Sequence, residues 1–259
     1  YNSASNQLKE PKVLQTTHQI LFYAHVIAGS IALVVFWLPM IAKKGDRKHK
    51  KYGRLFTNGM YLVAVSGILM TSMVLIDPIG VRSPDRNLDM EEALSLAYQN
   101  RIFAGFLFML SILVFSNVRQ SILVLRAKAN RQLLKTKSHI GMFIFLIATG
   151  LIMGFIGLQQ QILLFQIFSG LVVFNAASNL HYIYKAEIKQ REWMLDHLGN
   201  ILAAGIAAYT AFFAFGGSRL FTQFLSGSMI VIPWVLPGII GTIGIIYLTR
   251  KYRQQYRVA

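Results

Sequence analysis

The chain contains no cysteine, which excludes disulfides, thiolate metal ligands, cysteine-held iron–sulfur clusters and a cysteine nucleophile. It is also short of charge. Asp, Glu, Lys and Arg make up 14% of its 259 residues, against roughly 25% in soluble domains. Acidic residues are the scarcest, 10 against 26 Lys and Arg. A soluble domain or two would be the ordinary reading of this length, and the shortage of charge excludes it. No low-complexity tract, evident internal repeat or separate soluble domain is visible either.

Apolar residues fill the space, at 54% of the chain. A membrane-crossing helix needs ~20 mainly apolar residues. Seven segments qualify: Gln19–Ala42, Leu55–Ile76, Ile102–Leu125, Ile140–Leu158, Ile162–Tyr182, Leu198–Phe215 and Met229–Thr249. None holds Asp, Glu or Lys, and the one Arg inside them, Arg119, stands near enough to an end to snorkel outward. The expected fold is an all-α, polytopic membrane bundle of seven helices, one integral domain over residues 1–259. The first 18 residues are polar, lack the apolar stretch of a signal peptide, and are expected to form an outer segment. In the loop 77–101, Asp89-Met90-Glu91-Glu92 fits a capping box, followed by Met90, Ala93, Leu94 and Ala97 at helical spacing. A short amphipathic helix lying on the outer surface is expected there.

The charge is one-sided. The loops and tail on one side, with Arg119, carry 20 basic residues against four acidic ones: Asp46, Glu187, Glu192 and Asp196. The other side has six of each, so the formal net charge of +16 sits wholly on one face. The positive-inside rule makes that face cytoplasmic, with the N-terminus out and the C-terminus in. A basic face explained by topology gives no ground for nucleic acid as a partner. It suits anionic lipid headgroups.

Small residues suggest close packing. Gly199, Ala203, Ala207 and Ala211 form a stripe on the sixth segment, expected to face other helices, and Gly150 and Gly154 do the same on the fourth. Pro233 and Pro237, followed by Gly238, Gly241 and Gly244, are expected to kink the seventh in its outer half, and these glycines too suit tight packing.

Six histidines are the best chemical handles. His18 and His25 lie on one face of the first helix, near the outer side, and His25 is about 9 Å inside the span. The other four, His49, His139, His181 and His197, gather at the inner face. A cytochrome with two stacked haems would need histidines from two helices at each depth, so one haem b at the inner histidines is the limit. Retinal chemistry is excluded because no span holds a Lys for the Schiff base. For the inner cluster three readings stay open: a haem or quinone site, a zinc-type site with Asp46 or Asp196 and a hydrolytic water, or histidines that merely suit an interface. No HExxH-type spacing favours the metal. His49 and His197 share a depth, and Arg54 with the lysines around His49 would attract a haem propionate or a lipid phosphate. The candidate ligand residues are therefore His49, His197 and Arg54 for a cofactor, and His49, His197, His139 and Asp196 for a metal. His25 stands apart as an intramembrane polar candidate, with a plain hydrogen bond that locks the first helix as its alternative. Asn58, Asn117, Asn175, Asn179, Asn200, Tyr61, Tyr209 and Thr210 are the other polar groups in the spans, of which Asn200 is placed to orient His197. Such residues more often form interhelical hydrogen bonds worth ~0.6 kcal/mol each.

Two stretches carry a resemblance. HVIAGSIALVVFWLPMIAKKGDRKHKKYGRLFTNGMYLVAVSG, His25–Gly67, is the first. The second is WMLDHLGNILAAGIAAYTAFF, Trp193–Phe213, with PWVLPGIIGTIGIIY, Pro233–Tyr247. Together they cover a little under a third of the chain, and the third to fifth helices match in hydropathy alone. They resemble a family of seven-helix bacterial inner-membrane proteins of unknown function. The resemblance implies a multi-pass protein of a bacterial cytoplasmic membrane, and it singles out His25, His49, Gly53, Arg54, Trp193 and His197. The family pattern has no matching His at positions 139 and 181, and it supplies no activity. Three function classes follow: a non-enzymatic component (transporter, sensor or subunit of a membrane complex), a redox protein with one haem b or quinone, and a metal-dependent membrane hydrolase.

With no native cysteine, single cysteines report topology cleanly. An impermeant maleimide applied to intact cells should label Ser83→Cys at once and Gln255→Cys only after permeabilisation. Labelling of both from one side would show the helix count to be wrong by one.

Overall fold

In hydrocarbon a spanning segment must satisfy every backbone N–H and C=O within itself or against protein, and long helices follow from the apolar runs. The computed structural model describes residues 9–216, 229, 231–256 and 258, and no strand occurs among them. Nine α-helices follow one another among these residues: α1 (Lys9–Val35), α2 (Trp37–Ile41), α3 (Arg47–Ile76), α4 (Pro78–Arg82), α5 (Met90–Ala127), α6 (Lys137–Gln159), α7 (Leu163–Tyr184), α8 (Glu192–Ala211) and α9 (Ile232–Gln255). A 3-10 turn, Arg131–Leu134, precedes α6, and a π turn, Phe212–Gly216, extends α8. Seven spans are long and apolar enough to cross a membrane: α1 with α2, α3, α5, α6, α7, α8 with its π turn, and α9. This is a seven-helix integral membrane protein.

The helix ends differ from the expectation in three places, each with a local cause. The first helix starts at Lys9, so residues 9–18 of the expected outer segment are helical, and the candidate span runs Val13–Ile41. It is also interrupted at Phe36, because Pro39 has no N–H to offer the carbonyl of Val35 one turn earlier. The chain then turns at Gly45, whose φ of 82° suits glycine. Second, the capping box does not open a separate amphipathic helix, and the only short helix of that connection among the described residues is α4 (Pro78–Arg82). Asp89 does cap a helix there, accepting from the Glu92 N–H at 2.8 Å, but that helix runs unbroken into the third span. Third, the last span begins at Ile232, with Pro233 in its first turn and Pro237 inside. Residues 217–228 and 230 of the expected outer connection, Arg219 included, lie outside the described residues.

Two buried clusters hold the bundle. One joins α5, α6, α7 and α9: Phe106 stacks on Phe165 at 4.5 Å and meets Trp234 at 5.9 Å, over Phe143 and Val172. The other joins the first span to α3, α5 and α8 through Phe36, Phe56, Met60, Val118 and Leu202. Only α5 contributes long runs to both, and half of its apolar window is buried (50%) against 6% for α9. The third span is the axis of the fold, and α9 is its edge.

Close approach is built differently from the small-residue reading. On α6 the expectation holds: a Cβ on Gly150 would stand 2.8 Å from Val173 Cγ2 and one on Gly154 3.3 Å from Ser169 Cβ, while Gly157, outside the expected pair, is as tight, at 2.9 Å from Phe165 Cβ and 3.1 Å from the Gln166 nitrogen. On α8 it fails. Gly199 has open space around its Cβ position, Ala207 is half-buried and Ala211 is exposed. The tight positions are Gly205, which faces the Phe36 ring, and Gly241 of α9, which faces Ile206. Because α8 packs against the first span, α5 and α9 at once, contact is spread around it, and glycine is needed where a neighbour brings a large side chain.

Gly157→Val should therefore push α6 from α7 and lower stability by ~1–3 kcal/mol. Gly141→Ala, with open space at its Cβ position, should be neutral or slightly stabilising. Unfolding in mixed detergent micelles measures both, and equal midpoints would refute the close α6–α7 contact.

Candidate functional site

The ends of α5, α6 and α8 meet at the basic end of the bundle, and each brings polar side chains about one or two turns inside. Asn117, Gln120 and Ser121 share one face of α5 at spacings of three and four residues. His139 lies in the first turn of α6, while Asp196, His197 and Asn200 lie in the second and third turns of α8. Gln120 and His139 have no exposed surface.

One amide joins three of these spans. Gln120 Nε2 donates to Asp196 Oδ2 at 2.9 Å, and Gln120 Oε1 stands 2.8 Å from His139 Nε2. Since the amide oxygen can only accept, His139 carries its proton on Nε2. Its Nδ1 is buried without a partner, as are Asn117 Oδ1, Asn200 Oδ1 and the Tyr182 hydroxyl. Asn200 Nδ2 donates to the Asp196 backbone carbonyl at 3.0 Å and to Oδ2 at 3.3 Å. Among the described residues the Asp196 carboxyl is thus held by two neutral amides and by no cation. The single ion pair among the described residues is Lys185–Glu192, at 2.8 Å. In a chain of formal charge +16, leaving this carboxyl without a basic partner is a structural choice. Tyr182 of α7 stands within electrostatic reach of Asp196.

The other histidines are pinned by oxygens that fix their tautomers. His197 Nδ1 lies 3.0 Å from the Ser121 carbonyl and 2.8 Å from its Oγ. His49 Nδ1 lies 2.9 Å from the Pro39 carbonyl. A carbonyl only accepts, so both rings carry the proton on Nδ1 and turn a lone pair outward on Nε2. His49 and Lys44 are close enough to His197 to act on it electrostatically. His49 and Lys44 also finish the broken first span. Lys44 Nζ donates to the carbonyls of Pro39 and Met40 at 3.0 Å each, so with His49 it satisfies a helix end. Burial lowers the Lys44 ammonium from the ordinary lysine range. Asp46 caps α3, accepting the His49 N–H at 2.6 Å.

The remaining candidates lie elsewhere. Arg54 lines a groove between α3 and α5 in which neither His49 nor His197 takes part. His181 is exposed at the end of α7. His25, in the other half of the first span, donates from Nδ1 to Ser66 Oγ at 3.0 Å, because the one Ser66 proton is used on the Leu62 carbonyl at 2.6 Å. His139 and Asp196 do not touch but share Gln120, and among the described residues no three His, Asp or Glu form a group able to hold a metal ion. Gln120 and Ser121 were not singled out by the sequence. The available signal was their alignment with Asn117 on one face of an otherwise apolar span.

No family model, curated protein or solved structure matches the chain.

Gln120→Leu should strand both the Asp196 carboxyl and the His139 ring, at about 1–3 kcal/mol for each group left unpaired. The exposed Gln132→Leu should change little. Thermal unfolding in detergent separates them, and an unchanged midpoint for Gln120→Leu would show that the bridge carries no stability.

Proposed function

We propose that the protein is a non-enzymatic membrane component, a transporter or sensor, that works by binding and releasing a proton at Asp196. The observation that carries this reading is the Asp196 carboxyl inside the bundle with only Gln120 and Asn200 as partners. An ionisable group in a span is costly and is retained for a task. Without a cation beside it, a carboxyl there is relieved of its charge by a proton. The titratable neighbours are His139 across Gln120, His197 next in sequence, Glu192 one turn earlier, and Tyr182.

Gln120 supplies the two states. With Asp196 ionised, its NH2 faces the carboxylate and its oxygen faces the His139 N–H. With Asp196 protonated, the carboxyl has a donor to place, and a flipped amide accepts it. The amide NH2 then donates to His139 Nε2, and the imidazole proton moves to Nδ1, the atom now without a partner. One bound proton thus rewrites hydrogen bonds on α5, α6 and α8 together, which is the kind of two-state element that switching needs. The same reading places the chain in a bacterial cytoplasmic membrane with its basic end inside, in line with the charge asymmetry and the sequence resemblance. The haem reading draws on the outward Nε2 atoms of His49 and His197. The hydrolase reading lacks a ligand set among the described residues.

Infrared difference spectra of the reconstituted protein between acid and alkaline buffer test the proposal. A carboxyl C=O band that appears on acidification should vanish in Asp196→Asn and persist in Glu192→Gln. A band that survives unchanged in Asp196→Asn overturns it.

A further inference from the structure

A second polar site lies on the opposite side of the same central helix. Between α3 and α5, at the basic end, a groove of about 280 Å³ is lined by Arg54, Asn58 and Tyr61 from α3 and by Arg119 and Arg126 from α5. The helix spacing explains the convergence. Residues 54, 58 and 61 recur at four and three, as do 119, 122, 123 and 126, so one face of each helix supplies the lining. Ile122 and Leu123 form the apolar part of the wall. Arg119 and Arg126 both act electrostatically on Tyr61, whose ring is set edge-on against Phe115 at 5.4 Å.

Three guanidiniums converge on one groove, and the described residues supply no anion to it. Among the described residues the guanidiniums of Arg54, Arg119 and Arg126 make no hydrogen bond and no ion pair, while Arg101 and Arg131 are each committed to backbone carbonyls. Nor is a side-chain carboxylate in reserve at this end among the described residues. Asp46 caps α3, Glu192 pairs with Lys185, Asp196 is held by Gln120, and Glu187 stands exposed on the connection from α7 to α8. None of them lines the groove. Arg119 begins about 12 Å inside the end of α5 by helix rise, and a cation at that depth is expensive unless it is paired or reaches the headgroup layer. A planar fork of donors is matched by phosphate oxygens, which accept two parallel N–H bonds from one guanidinium. The cavity has room for such a group, since a water takes up only about 30 Å³ in the liquid.

We propose that the groove between α3 and α5 is a specific binding site for a phosphate-bearing anion, held by Arg54, Arg119 and Arg126 with Asn58 and Tyr61 at its margin. The phosphate belongs either to an anionic lipid headgroup or to a free phosphorylated solute. A zwitterionic choline headgroup fits poorly, because its cation would meet three others with no carboxylate to receive it. The site stands apart from Asp196 and does not depend on its titration.

Delipidated full-length protein in a neutral detergent tests this with three probes: phosphatidylglycerol, phosphatidylcholine and inorganic phosphate. Native mass spectrometry should show phosphatidylglycerol retained in preference to phosphatidylcholine. Arg119→Gln should weaken that retention roughly tenfold, the scale of one lost charge-assisted hydrogen bond. The pair Lys50→Gln and Lys51→Gln, basic and exposed but outside the groove, should retain the lipid as the parent does. Arg126→Gln, at the open end, serves if Arg119→Gln does not fold. A rise in melting temperature with inorganic phosphate, absent in the arginine variants, would assign the site to a soluble phosphorylated ligand. Retention that tracks total charge, equal in the arginine and lysine variants, with no phosphate-dependent shift, overturns the proposal.

Discussion

The bridge made by Gln120 is the interaction on which the basic end of this bundle depends. A side-chain amide has a donor end and an acceptor end, and here each end meets a titratable group on a different span, Asp196 on α8 and His139 on α6. In water such bonds exchange with solvent at little net gain. Inside a bundle the alternative is an unpaired polar group, so the amide fixes how α5, α6 and α8 sit against one another.

The centrality of α5 explains why two polar sites share one helix. Its hydrophobic faces feed both buried clusters, and two further faces remain near its basic end. One carries Asn117, Gln120 and Ser121 toward α6 and α8; the other carries Arg119 and Arg126 toward α3. The first is neutral and satisfied largely from within. The second is cationic and unsatisfied by protein. Their chemistry diverges because one face meets polar side chains of α6 and α8, whereas the other meets only Arg54, Thr57, Asn58 and Tyr61 of α3.

The helix ends are governed by the same accounting of donors and acceptors. Pro39 breaks the first span by withholding one N–H from Val35, and where the span ends at Ile41 the carbonyls of Pro39 and Met40 recruit Lys44 and His49. Arg101 does the same for α3, donating to the carbonyls of Leu75 and Ile76 at 3.1 and 3.4 Å. Several residues whose type suggests ligand chemistry are thereby partly engaged in closing helices. His49 is the clearest case: its backbone N–H is taken by Asp46 and its Nδ1 by Pro39, and only Nε2 is left over.

Hydropathy along the chain determined the seven spans and the all-helical class, because a run of ~20 apolar residues has few alternatives in a bilayer. The distribution of Lys and Arg determined that one end is basic. Capping was legible too, at Asp89, since the pattern is local. The pairing of side chains was not, because a helix shows its period but not the partner on each face. Thus most of the stripe on α8 missed the close contacts, which fall at Gly205, not singled out, and at Gly241 of the seventh span. Gln120 drew no notice in a span full of apolar residues, and Arg54 pointed to His49 by nearness in sequence although its groove partners lie on α5. The rotation of each helix about its own axis sets which polar groups meet, and that rotation follows from the summed packing of all seven spans, which only the tertiary structure decides.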